Sequence, residues 1–167
     1  MLKTKSKSNI FLLAIIATFF IASCDKNRVF DEYIPIPQQT WNKRNTIQFA
    51  FSITDTLKKH NLFLNIRNNK DYGYSNLFVI TEMNFPDGNN VIDTLEYDMA
   101  DAKGKFLGSG VFDVKENKLF YKENITFPNK GNYTFKVRQS MRKNGEIKGI
   151  EELEGLTHVG FRIEKTE

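Results

Sequence analysis

The sequence predicts an all-β chain: a single antiparallel β-sandwich following an N-terminal lipidated tether. Three observations lead there. From Thr46 onward apolar residues recur with a period of two, not 3.6, as in Ile47, Phe49, Phe51 and Ile53. About eight or nine such runs follow one another, with turn residues every ten positions or so. No periodic segment is long enough to supply the helix of an α/β crossover.

The chain opens with three lysines, Lys3, Lys5 and Lys7, and then thirteen nearly unbroken apolar residues from Ile10 to Ala22. An export-signal core runs about 7–15 residues, whereas a membrane-spanning helix needs roughly 17–25. The segment is therefore read as a cleavable leader, residues 1–23. It ends Ile21-Ala22-Ser23-Cys24, an apolar residue and two small ones before the one cysteine of the chain. That pattern resembles the lipobox of bacterial lipoproteins, which are cut before the cysteine and acylated on its sulfur. A lone thiol in an oxidising compartment has no internal partner to oxidise with, and acylation gives it a use. Cys24 is expected to carry palmitate-type chains and hold the protein to a membrane.

Residues 24–40 read as the lipidated tether and 41–167 as the sandwich. Pro35 and Pro37 stiffen the tether, and fully stretched it would reach about 55 Å. Val29, Phe30, Tyr33 and Ile34 are too apolar to stay in water, so part of it is expected to pack as an edge strand, where proline is tolerated. The leader holds three of the 24 basic residues and none of the 20 acidic ones, so net charge falls from +4 to +1 on its removal. The pI near 9.1 is thus mostly the leader's, and no basic patch is expected on the rest of the chain to bind nucleic acid. Fifteen Phe and six Tyr provide a core without any disulfide.

The strands follow in order. Ile47–Ile53 alternates cleanly, and "NLFLNIR" follows a polar turn at 55–61. Asn76–Phe85 carries the run Leu77 to Ile80, buried on both faces, and "PDGNN" makes a hairpin with Gly88 free to take φ > 0. "VIDTLEYDM" alternates again before the glycine-rich loop "DAKGKFLGSG". Phe112 to Phe127 reads as two short strands broken near Glu116-Asn117. Tyr133 to Met141 is a strand, "RKNGE" a turn, Gly149 to Glu154 one helical turn, and "THVGFRIE" the last strand. Periodicity does not choose between a jelly-roll-like and an Ig-like connection of these strands.

Reactive groups are sparse. His60 and His158 stand far apart with no carboxylate or second histidine at metal-ligand spacing, so no metal site and no cofactor are expected. Ser109 in "GSG" lacks the spacing and the helix of a nucleophile elbow. The carboxylates Asp31, Glu32, Glu151, Glu152 and Glu154 read as solvent-facing, whereas a general acid needs burial. "DGNN" could offer oxygen ligands to Ca²⁺, but a hairpin turn accounts for it. The loop "RNNKDYGYSN" is the candidate for binding a partner or a glycan. Arg67, Asp71, Tyr72 and Tyr74 there combine rings for contact area with amides for direction. Thr56 and Thr94 sit in "DTL" tripeptides that look like the Asp-Ser/Thr-apolar signal for periplasmic O-glycosylation in some gliding bacteria.

The stretches "CDKNRVFDEY", "YSNLFVITEMNFPDG", "DTLEYDMAD", "KENKLFYKENITFP" and "MRKNGEIKGIEELEGLTHVGFRIEK" resemble the gliding-motility lipoprotein H family (GldH) over essentially the whole chain after the leader. The resemblance implies an envelope lipoprotein required for gliding and accessory to type IX secretion. It implies contacts with other gliding and secretion envelope proteins, from an outer-membrane position facing the periplasm. No catalytic motif carries over; only the acylated cysteine does, onto Cys24. A carbohydrate-binding sandwich acting on envelope or exported glycans is the alternative.

Overall fold

In the computed structural model, which describes residues 25–110 and 112–166, side-chain alternation sorts the chain into layers. Ten strands occur in order: β1 (Arg28–Pro35), β2 (Thr40–Asn42), β3 (Ile47–Ile53), β4 (His60–Asn68) and β5 (Asn76–Asn84), then β6 (Asn90–Asp98), β7 (Lys115–Ile125), β8 (Gly131–Gln139), β9 (Glu152–Glu154) and β10 (Leu156–Lys165). A 3₁₀ turn at Pro37–Gln39 joins β1 to β2. Strand β3 is strictly alternating, its four apolar side chains buried and its three small or polar ones exposed. That is the pattern of a sheet with one wet face.

Two four-stranded antiparallel sheets form, in the orders β1-β10-β4-β7 and β3-β8-β5-β6, with β2 and β9 as a small third ribbon. Apart from that ribbon, the first strand pairs with the last and the second with the next to last. This is the jelly-roll arrangement of interlocked Greek keys. The connection left open by periodicity is thereby decided.

The facing sheets meet through aromatic rings. Phe161 of β10 stacks on Phe135 of β8 at 4.1 Å between centroids, and it lies 6.0 and 5.6 Å from Phe49 and Phe51 of β3. Trp41 is fully buried beneath the ribbon and its indole N–H donates to the Asn45 carbonyl at 2.8 Å.

The edge strand expected within the tether is β1, hydrogen-bonded to β10 from Arg28 to Pro35; two later elements differ from the sequence expectation. Only Asp25 to Asn27 then separate Cys24 from the sheet, and Cys24 with the whole leader lies outside the described residues. The two strands expected over Phe112–Phe127 are one, β7, which runs straight through Glu116-Asn117. Asn117 faces inward, its amide donating to the Ile66 carbonyl and to Asn68 Oδ1, so a polar residue fills an interior position without a break. In place of a helical turn at 149–154 lies β9, where Leu153 is buried opposite Trp41.

The outer face of the β1-β10-β4-β7 sheet is tightly covered. The Tyr33 ring lies over Gly160, where a Cβ would come within 2.7 Å of it. Its hydroxyl donates to Glu116 Oε1 at 2.5 Å and accepts from the Asn65 amide at 2.9 Å. Burial works against the Glu116 carboxylate, but its bonds from Tyr33 and Arg67 outweigh that and hold its pKa below the usual carboxylate value. Because Gly160 leaves room for the ring, Gly160→Ala is expected to push Tyr33 off the sheet. The cost should be about 1–3 kcal/mol of unfolding free energy in urea titration, and an unchanged midpoint would contradict this packing.

Candidate functional site

A cleft of about 1110 Å³ opens where the loop after β8 folds back over the β3-β8-β5-β6 sheet. The fold-back is fixed by backbone bonds: Ser140 N–H donates to the Phe78 carbonyl, and Ile150 N–H to the Met141 carbonyl. Buried Gln139 ties the loop's return by donating to the Ile150 carbonyl at 2.8 Å. Gly145, at φ +80, makes the tip turn. The floor is apolar, built from Phe78, Met141 and Ile150, while Lys43, Arg138, Arg142 and Lys143 stand around the rim. Glu146 is the single carboxylate among the residues lining this lobe.

A second lobe of about 530 Å³ adjoins it and carries the opposite charge, through Asp71, Glu151, Glu152 and Glu154. Tyr74, Lys143, Glu146, Gly149 and Ile150 line both lobes. Lys43 of the first lobe reaches Glu151 of the second in a 2.6 Å ion pair. That hydrogen-bonded lysine lowers the Glu151 pKa, the opposite of what a general acid needs.

The residues picked out by sequence separate into three places. Asp71 and Tyr74 reach the cleft. Tyr72 does not: it is buried, its ring 5.9 Å from Tyr74 and 6.4 Å from Phe106, its hydroxyl donating to the Asn76 carbonyl at 2.6 Å. Burial pushes its phenol pKa up. Arg67 lies on the outer face of the other sheet, 4.1 Å above the Tyr33 ring and paired with Glu116 at 2.9 Å. The basic rim was missed because "RKNGE" reads as a turn; its Arg-Lys pair, four residues after Arg138, was the available signal.

The remaining candidates are accounted for locally. Asp31 pairs with Arg162 at 2.6 Å. Asp87 of "DGNN" accepts from the Asn89 and Asn129 amides, which fits the turn. Ser109 forms a backbone bridge to Glu116. Thr56 lies half-buried in the loop between β3 and β4, and Thr94 is exposed on the edge strand β6. His158 is half-buried on β10, within 3.1 Å of the Thr157 hydroxyl.

His60 heads β4 rather than a turn, and it is buried with its ring 5.3 Å from Phe127. Burial lowers the pKa of both histidines from 6.5. The unfolded chain therefore binds more protons, and stability is lost as pH falls from about 7 toward 5. Thermal melts across that range should show the loss, reduced in His60→Phe. For the loop, Tyr72→Ala should remove about 3–5 kcal/mol in urea titration, as loss of a buried ring does. Tyr74→Ala should cost much less, and equal costs would contradict the division of roles.

Residues 28–163 match the family described as GldH lipoprotein. The chain is 52% identical to the gliding motility lipoprotein GldH homolog of Christiangramia forsetii, across 95% of this chain and 94% of that one. It is 47% identical to the gliding motility lipoprotein GldH of Flavobacterium johnsoniae, across 95% and 96%. Among solved structures, the infectious bursal disease virus VP2 subviral particle is similar with a TM-score of 0.41 and 12% identity, over 86% of this chain and 34% of that one. With a family match across nearly all of the sandwich and relatives alike over almost their whole lengths, the chain belongs to the GldH lipoprotein family.

Proposed function

We propose that this gliding-motility lipoprotein works by protein contact, gripping a component of the gliding and type IX secretion apparatus in the cleft beneath the β8–β9 loop. The observation that carries the reading is the cleft's composition: an apolar floor inside a rim of Lys43, Arg138, Arg142 and Lys143. Apolar floors give affinity and charged rims give selection and on-rate. The complementary partner is a protein segment with an apolar anchor among acidic side chains.

The cleft's place in the fold fits an anchored receptor. The leader, residues 1–23, is removed and Cys24 is acylated, which fastens the start of β1 to the outer membrane on its periplasmic side. Strand β1 then rises about 25 Å over its eight residues. It hands the chain through the 3₁₀ turn to β2, whose partner β9 borders the cleft's acidic lobe. The binding end thus points away from the lipid. The carbohydrate-binding alternative rests on Tyr74, the one ring of its pair that reaches the cleft.

The test is in-cell cross-linking and colony spreading with Arg138→Glu combined with Arg142→Glu. Both side chains are exposed, so melting should stay unchanged while the cross-linked partner and spreading are lost. Spreading at the normal rate with those reversals would refute the reading. If glycan-array binding appears instead and vanishes in Tyr74→Ala, the carbohydrate alternative takes its place.

A further inference from the structure

We infer that the end of the sandwich where the chain begins is a membrane-docking face, on which the β3–β4 loop sets Leu57 among anionic phospholipid headgroups. The inference rests on acylation of Cys24, and three features of the structure carry it beyond the anchor itself.

The first is reach. Four Cα steps separate Cys24 from Arg28, at most about 14 Å. Even that slack is taken up. The Asp25 carboxylate is bound to Arg162, and the Asn27 carbonyl accepts from Lys165 N–H at 2.8 Å. A lipid on Cys24 therefore brings this end of the body to the bilayer surface.

The second is the position and shape of the β3–β4 loop. Thr166 N–H donates to the Lys59 carbonyl at 3.0 Å, and Lys165 sits in register with His60. The loop and the chain start thus flank the same end of β10. Asp55 shapes the loop by accepting from the N–H groups of Leu57 and Lys58. The carboxylate turns toward the backbone and Leu57 is left 90% exposed at the tip. One exposed leucine is ordinary on any surface; this one crowns a preformed loop at the end nearest the lipid.

The third is charge. Lys26, Arg28, Lys58, Lys59 and Lys165 are exposed around this end, and among the described residues none of them forms an ion pair. Of the acids nearby, Asp25 and Glu164 are engaged by Arg162, with Lys118 also on Glu164, and Asp55 by its own loop. That leaves exposed Glu123 beside Asn61 as the one carboxylate among the described residues here that counters the five cations without a partner. An acyl anchor beside a basic patch is a recognised way to hold a protein flat on an anionic surface.

The test uses residues 24–167 made without the leader, with the Cys24 thiol coupled to a maleimide lipid. The coupled protein is compared on vesicles of phosphatidylglycerol and phosphatidylcholine in equal parts and on phosphatidylcholine alone. Hydrogen exchange of the 55–59 amides should slow on the anionic vesicles only. Lys58→Glu and Lys59→Glu should each weaken docking about fivefold or more, and added salt should do the same, while melting is unchanged. Equal exchange on both vesicles would overturn the docking face, as would a hexose found on Thr56 in the native protein's intact mass. Acylation is read separately, by palmitate-analogue labelling of native protein and of Cys24→Ala. An unlabelled native chain would remove the anchor whatever the vesicles show.

Discussion

Phe161 stacks on Phe135 across the gap between the two sheets, with Phe49 and Phe51 closing around the pair. The fold depends on this contact because nothing covalent can replace it. The chain has one cysteine, so no internal disulfide joins the sheets, and their adhesion comes from apolar burial. Stacked and tilted aromatic pairs add about 0.5–1.5 kcal/mol each beyond the area they bury. Linked pairs of this kind also run through Phe127 and Tyr133, which extends the slab along the sandwich. A core held this way leaves both loop-bearing ends free to vary, and those ends carry the cleft and the proposed docking face.

Much of this architecture was legible where a strand has one wet face. Where Ile47 to Ile53 alternates residue by residue, the sequence states the strand and its inward face together. Legibility failed where polar groups went inside. Asn117 looks like a strand break until its amide is seen bonded to Ile66 and Asn68, an interior partner that no local pattern reveals. It failed again at Glu152–Glu154, where three residues are too few to show a period and Trp41, far away in sequence, decides the outcome. The connection of the strands was never in the periodicity, since pairing the first strand with the last is a property of the whole chain.

The cleft was illegible for a related reason. Its floor joins Phe78 of β5 to Met141 and Ile150 of the β8–β9 loop, and its rim adds Lys43 and Arg138 to that loop's Arg142 and Lys143, brought together by bonds such as Ser140 to Phe78. Sequence reasoning found Asp71 and Tyr74 because aromatic and acidic residues beside amides suggest recognition. It also proposed Tyr72, whose ring looks equivalent on paper. Gly155 presses so close that a Cβ would sit 2.1 Å from the Tyr72 backbone nitrogen. What separates the two rings is partnering: Tyr72 is buried beside Phe106 with its hydroxyl on the Asn76 carbonyl, while half-buried Tyr74 lines the cleft.

Pairing the first strand with the last also has a mechanical side. If the chain start is held, as the proposed anchor on Cys24 would hold it, and the cleft end is pulled, the load runs along β1, at right angles to its hydrogen bonds with β10. Bonds loaded in that direction share the strain and shear together, whereas a strand peeled from its end would yield them one at a time. The seven paired positions between Arg28 and Pro35 are therefore arranged as a tension joint against any load applied between the two ends.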